Sequence, residues 1–148
     1  MKWKIKNKKV ITLLLFVVFV GTIALIYTYP RSMANFVEPL KNGEELEYIR
    51  IMRPHDDPYI VEITDQETIA LLKEQVEKVR VRYIRNAYMI PYSVENYVLT
   101  MDFNHPDQRI DVQKDGTVYW DDKQYIPVDD ESLILFELLE KVVEKEIL

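Results

Sequence analysis

The chain opens with a polar, lysine-rich stretch that gives way to an apolar run at residues 10–29 with no charged side chain. A helix of this length is about 30 Å long, which matches the hydrocarbon core of a bilayer. Trp3 precedes the run, and Tyr27 and Tyr29 close it, where aromatic rings prefer the headgroup layer. The pattern predicts one transmembrane helix, a signal anchor that stays uncleaved.

The charges that flank this helix predict its orientation. Lysines crowd the N-terminal side, at positions 2, 4, 6, 8 and 9, whereas only Arg31 and Lys41 follow closely on the other side. The positive-inside bias makes residues 1–9 a cytoplasmic basic tail and places everything after Pro30 outside. The alternative is a cleaved secretory signal, since Ser32-Met33-Ala34 has the small-x-small pattern of a cleavage site. Both alternatives put the remaining chain outside the cytoplasm.

Residues 30–44 show no clear hydrophobic period and contain two prolines and a glycine. We expect a partly extended tether between the bilayer and a domain at residues 45–148. Three apolar residues in this stretch leave open a second possibility, that it docks on the domain or on the membrane surface: Phe36, Val37 and Leu40.

The domain begins with strand patterns. Ile49 and Ile51 alternate with Arg50, and residues 59–63 alternate again after a Pro- and Asp-rich break, which predicts a hairpin. Thr64 with Glu67 forms a capping box, so a helix should start there. The apolar positions that follow have helical spacing and predict an amphipathic helix that covers the sheet: Ile69, Leu72, Val76 and Val79.

Further strands are predicted at residues 97–103, 110–112, 118–120 and 124–128, and the early part of 80–93 is open to being another. Asp115-Gly116 is a strong hairpin signal. Asp129 and Asp130 should open a last amphipathic helix, because carboxylates are stabilised at the positive end of the helix dipole. The fold class is therefore α+β: an N-terminal transmembrane helix, then a small antiparallel β-meander domain of order β-β-α-β-β-β-β-α with two amphipathic helices.

Composition narrows the classes of function. After position 34 there are 13 basic and 25 acidic residues, a net charge of −12 that argues against nucleic acid and anionic lipid as partners. The absence of cysteine excludes a lipoprotein anchor, thiolate metal sites and thiol catalysis. Three glycines leave no phosphate-binding loop of the common types. We expect no cofactor and no enzymatic activity.

Two histidines lie in predicted turns beside carboxylates. His55 is followed closely by Asp57, and His105 by Asp107. If both turns lie at the same end of the sheet, these four side chains could converge on a divalent metal such as zinc or manganese. The plainer interpretation is that Asp, Pro and His are common turn residues.

The basic and aromatic stretch 80–92 is the candidate for partner binding. Arginine and tyrosine are enriched in protein interfaces, and the stretch stands out on an acidic domain. The residues proposed for contact are Arg82, Arg85, Tyr88 and Tyr92. The alternative is that the tyrosines pack on the sheet while the arginines pair with glutamates of the first amphipathic helix.

The lysine-rich start, the single span and the Cys-free domain rich in Lys, Ile, Glu and Tyr resemble the small uncharacterised single-pass proteins of low-GC Gram-positive bacteria. The resemblance covers the whole chain and rests on architecture and composition, so it implies no activity and no residue roles. Together these features predict a non-catalytic, membrane-tethered extracytoplasmic module of the cell envelope that interacts with another envelope protein. The alternative is a metal- or ligand-sensing domain that uses the turns of His55 and His105.

Overall fold

The computed structural model describes residues 3–53, 59–87, 98–103 and 105–147. For some of these residues it describes only the backbone: 3–6, 26, 98, 99, 102, 105–108 and 147. Helix α1 (Trp3–Thr28) contains an apolar segment, Asn7–Leu25, none of which is buried. Within the described part of the chain it is the one helix long and apolar enough to cross a membrane. A signal sequence near an N-terminus has the same properties.

The segment expected to form a tether is part of the folded domain. Strand β1 (Arg31–Ser32), a 3-10 helix (Met33–Phe36) and helix α2 (Glu38–Asn42) follow α1 directly. The Met33 amide donates to the Val79 carbonyl at 2.9 Å, and the Ser32 hydroxyl donates to the Glu77 carbonyl at 3.0 Å. The described chain therefore passes from α1 into the sheet without a free spacer.

Burial of apolar side chains explains why this segment folds. Met33, Phe36, Val37 and Leu40 are at most 7% exposed and belong to the hydrophobic core. Met33 and Phe36 lie in the 3-10 helix and Leu40 lies in α2, whereas Val37 is the residue with an extended backbone between the two helices. The docking of Phe36, Val37 and Leu40 on the domain, the second possibility for this stretch, is therefore what the structure shows.

The predicted hairpin and first amphipathic helix are present. Strand β2 (Ile49–Arg53) pairs antiparallel with β3 (Tyr59–Ile63), with Ile49 opposite Ile63 and no break in register. Helix α3 (Gln66–Lys78) buries the apolar side chains of Ile69, Leu72 and Val76, as their spacing predicts.

The cap of α3 lies one residue later than the capping-box pattern indicates. Asp65, not Thr64, is the N-cap residue, and its carboxylate accepts from the Thr68 amide at 2.9 Å and from the Thr68 hydroxyl at 2.7 Å. The two hydrogen bonds from Thr68, that of its hydroxyl first, lower the pKa of the Asp65 carboxyl.

This cap should make part of the stability pH-dependent. Because the folded pKa of Asp65 is lowered, the contribution of its charge is present above the unfolded pKa of about 3.9 and is lost as pH falls through the folded pKa. Asp65→Asn should therefore lower the urea midpoint at neutral pH, and the difference from the wild type should shrink as the solution is acidified. Urea unfolding at a series of pH values measures this, and a difference that stays constant with pH would contradict it.

After α3 the chain adds five strands and a helix. The early part of 80–93 is strand β4 (Arg80–Asn86), and the meander consists of β5 (Val98–Phe103), β6 (His105–Gln113), β7 (Val118–Trp120) and β8 (Lys123–Pro127). Gly116 has a positive φ in the β6–β7 turn, as the Asp115-Gly116 signal predicts. Helix α4 (Glu131–Ile147) follows, and the Asp129 carboxylate accepts from the Glu131 amide at 3.3 Å.

The eight strands of the described residues form one antiparallel sheet in the order β1-β4-β8-β7-β6-β5-β2-β3. Apolar residues of one face share a core with α3 and α4: among the strand residues Ile49, Ile51, Met101, Phe103, Ile110, Val112 and Val118. The α+β meander architecture with an N-terminal apolar helix is thus confirmed. The order places β1 and β4, beside α1, at one edge of the sheet and β3 at the other.

Candidate functional site

The arginines predicted to bind a partner lie on β4. Arg82 and Arg85 are both exposed, and Arg85 Nε donates to Gln124 Oε1 at 2.7 Å across the pairing with β8. The register of β4 against β8 shifts between Tyr83 and Arg85, so Ile84 is an extra residue at a bulge and its side chain is 45% exposed. Tyr88 and Tyr92, the other two members of the predicted surface, lie outside the described residues.

Helix α1 contacts this same strand. The ring of Tyr27 in α1 lies 5.8 Å from the ring of Tyr83, which in turn lies 5.9 Å from that of Tyr125 in β8. Three residues after the end of α1, Arg31 begins β1 and pairs with Val81. Arg82 and Arg85 are therefore located where the apolar helix joins the domain, a position that the sequence pattern does not reveal.

The predicted turn of His105 is a strand position. His105 begins β6, and its backbone pairs with Phe103, which also pairs with Ile49 at the first residue of β2.

The metal hypothesis stays a prediction. His55, Asp57 and the side chains of His105 and Asp107 lie outside what the structure describes, while the backbone of 105–108 is strand and not turn. Among the described side chains there is no group of three or more His, Asp or Glu that could hold a metal ion.

A row of buried polar side chains crosses the sheet face opposite the helices. Thr100, Asp111 and Tyr119 occupy consecutive paired positions on β5, β6 and β7 and are at most 7% exposed. The Thr100 hydroxyl donates to Asp111 Oδ1, and Arg109 Nε donates to the same oxygen at 3.1 Å. Burial, and secondarily the nearby Asp115 carboxylate, raises the pKa of Tyr119. Alternation alone assigns these positions to solvent, so the sequence does not indicate that they are buried.

We assign a structural role to the hydrogen-bonded group of Thr100, Asp111 and Arg109, which stabilises the sheet. A buried carboxylate is strongly destabilising unless it accepts hydrogen bonds and is paired with a positive charge. Thr100 and Arg109 both donate a hydrogen bond to Asp111, and Arg109 also supplies the positive charge. The same pairing favours one register of β5 against β6, since a slip of one residue would separate Thr100 from Asp111.

The free edge of β3 is the other notable surface. No described strand pairs with the side of β3 that faces away from β2. Ile60 is 67% exposed there, and Glu62 forms a 2.8 Å ion pair with Arg50. The edge is regular over five paired residues, whereas β4 at the opposite edge is bulged and partly covered by β1.

Comparison with known proteins adds no assignment. No protein-family model, no curated protein and no solved structure matches this chain. Its function has to be inferred from its own residues.

Proposed function

We propose that this chain is a single-pass, membrane-anchored module of the bacterial cell envelope, with a cytoplasmic N-terminus and an extracytoplasmic domain that binds another envelope protein without catalysing a reaction. The fully exposed apolar segment of α1 supports the anchor, because such a surface is stable in lipid and not in water. The lysines before α1 support the orientation.

The packing of Met33 supports a retained anchor over a cleaved signal. Cleavage after Ala34 would remove β1 together with Met33, whose side chain is 0% exposed in the core. It would also remove the hydrogen bond from the Met33 amide to Val79. A cleaved chain would therefore lose part of its own fold, and we place α1 in the mature protein.

The free edge of β3 is the observation that carries the proposed interaction. Exposed edge strands offer unpaired N–H and C=O groups to any extended chain, so soluble domains usually block them with bulges, prolines or a covering segment. Within the described residues β3 has none of these, and its solvent-facing Ile60 adds an apolar contact at the edge. The partner that fits is an extended segment of an envelope protein, which would add a strand beside β3.

The position of β3 suits this function. It is seven strands away from β1, which at about 4.8 Å per strand puts it roughly 34 Å from the anchor side of the sheet. A partner would reach it without meeting α1. Arg82 and Arg85, the surface expected from the sequence, lie instead on the anchor side, so we place protein binding at β3.

The experiment compares two isoleucines of similar exposure on different surfaces. Full-length protein carrying Ile60→Lys is compared with Ile134→Lys, because Ile134 is 48% exposed on α4. A lysine at a sheet edge disfavours strand addition. Capture of an envelope partner from solubilised membranes should fall about tenfold or more for Ile60→Lys, which corresponds to a loss of about 1.4 kcal/mol in binding free energy. Capture by Ile134→Lys should remain near that of the wild type.

The control also defines failure. Thermal unfolding should show both variants folded, because each site is exposed in the wild type. Equal capture by the wild type and Ile60→Lys would show that β3 is not the binding surface. Absence of any specific partner for the wild type, in membranes from cells that express it, would contradict the interaction function itself.

A further inference from the structure

The direction in which α1 meets β4 defines which end of the domain faces the bilayer. Tyr27 contacts Tyr83, and four residues later Arg31 pairs with Val81. From Tyr27 to Arg31 the chain therefore runs back along β4, towards its first residue. The apolar part of α1, which precedes Tyr27, accordingly leaves from the side of Tyr83 that leads to Asn86.

The residues on both sides of Tyr83 have the chemistry of a membrane-contact surface. Arg85 lies two residues past Tyr83 and Arg82 one residue before it, within about 7 Å of Tyr83 along the strand. Both are exposed, and Ile84 between them is 45% exposed. No acidic residue occurs in 27–37 or in 79–87, although the domain as a whole is acidic.

We propose that Arg82, Ile84 and Arg85, together with Tyr27, dock the domain on the anionic headgroup layer of the bilayer that holds α1. Arginine binds phosphate oxygens through a planar fork of donors, an isoleucine inserts at the boundary with the acyl chains, and tyrosine rings favour the headgroup level. This inference rests on the proposed anchor and goes beyond it, because an anchored domain without this surface would contact the bilayer only through α1.

The local charges allow docking despite the net charge of the domain. Arg82 forms no ion pair with a described residue, and the Arg85 side chain donates to the neutral Gln124. In the nearby β7–β8 turn, Asp121 is paired with Lys123 at 2.6 Å, which leaves Asp122 as the exposed acidic group closest to Asn86. More distant acidic residues are screened beyond a Debye length of about 8–10 Å. The repulsion of anionic lipid expected from the whole charge does not apply at this end.

The test uses the full-length chain in nanodiscs with single introduced cysteines, which is possible because the sequence has none. Nitroxide labels are placed at Leu15, Ile84 and Ile60 in separate variants. Accessibility to oxygen, which concentrates in the bilayer, is compared with accessibility to a water-soluble nickel chelate. Discs of phosphatidylcholine are compared with discs that also contain phosphatidylglycerol.

In anionic discs the label at Ile84 should be accessible to oxygen and protected from the nickel chelate. In neutral discs, or at high salt, its accessibility to oxygen should be lower and its accessibility to nickel higher. The label at Ile60 should be nickel-accessible in both. Arg82→Ala with Arg85→Ala should lower the ratio of docked to undocked domain about 30-fold, since each basic residue near an anionic surface contributes about fivefold. Asp122→Asn should raise that ratio.

A matched pair of single variants controls for net charge. Arg85→Ala alone should lower the ratio of docked to undocked domain about fivefold, whereas Lys114→Ala removes the same charge from the β6–β7 turn at the other end of the sheet and should change docking by less than about twofold because of screening. A nickel-accessible Ile84 label in both lipids, or equal loss of docking in the two single variants, would overturn the proposal. If the Leu15 label is also nickel-accessible, the anchor fails and docking with it, whereas a lipid-buried Leu15 with an exposed Ile84 refutes docking alone.

Discussion

Phe36→Ala should lower the free energy of unfolding by about 3–4 kcal/mol, although Phe36 lies in the segment that the sequence pattern predicts to be a tether. The side chain is 5% exposed and stacks on Trp120, with ring centroids 4.9 Å apart, and lies 4.7 Å from the ring of Tyr125. Truncation leaves a cavity among these rings and removes both aromatic contacts.

Urea unfolding of the full-length chain in detergent micelles measures this change, followed by the fluorescence of Trp120 after Trp3→Phe removes the second indole. Asn35→Ala is the control, because Asn35 is exposed in the same 3-10 helix, and it should change the free energy by less than about 0.5 kcal/mol. Were residues 30–44 a solvated tether, the two variants would have equal stability.

The tether interpretation missed a signal that is present in the sequence. Met33, Phe36, Val37 and Leu40 follow a helical period, but the stretch is short and its helical structure is divided at Val37, whose backbone is extended. Helices of this length are marginal by themselves and form only when tertiary packing supplies the energy. The spacing of apolar residues in this segment therefore identifies an apolar face, but it does not reveal that the face packs on the domain.

Most strands and both amphipathic helices could be predicted, because each has one buried and one wet face and the period is set by backbone geometry. The same logic fails for Thr100 and Asp111, which alternation assigns to solvent and which are buried. Whether side chains on the sheet face opposite the helices are buried depends on which distant parts of the chain cover that face. The alternation of apolar and polar residues along a strand carries no information about this.

The candidate surfaces illustrate the same limit. The exposure of Arg82 and Arg85 follows from composition, but their position beside α1 depends on the contact of Tyr27 with Tyr83. The free edge of β3 depends on the strand order, which the sequence leaves open. The pairing of strands that are distant in sequence, and not the local residue types, therefore determines which partner each surface can contact.

Gly116→Ala should lower the free energy of unfolding by about 3 kcal/mol, through two separable effects. Gly116 has φ +82°, a backbone conformation that costs a residue with a Cβ atom about 1–2 kcal/mol. An added Cβ would also lie 2.5 Å from Ser132 Oγ and 3.3 Å from Leu133 Cδ2, so the turn would press against the first turn of α4. Overpacking of this kind typically costs about 1–3 kcal/mol.

Two comparisons separate these effects in the same urea assay. Gly43 has a similar φ of +70° with no atom within 4 Å of an added Cβ, so Gly43→Ala should cost only the backbone part, about 1–2 kcal/mol. Ser132→Ala should be nearly neutral by itself, because the buried Ser132 hydroxyl has no hydrogen-bond partner among the described residues. In the Gly116→Ala background it should restore about 1–2 kcal/mol by removing the clashing oxygen, a coupling that a double-mutant cycle resolves. Equal costs at Gly43 and Gly116 with no coupling to Ser132 would mean that the β6–β7 turn does not pack against α4 as described.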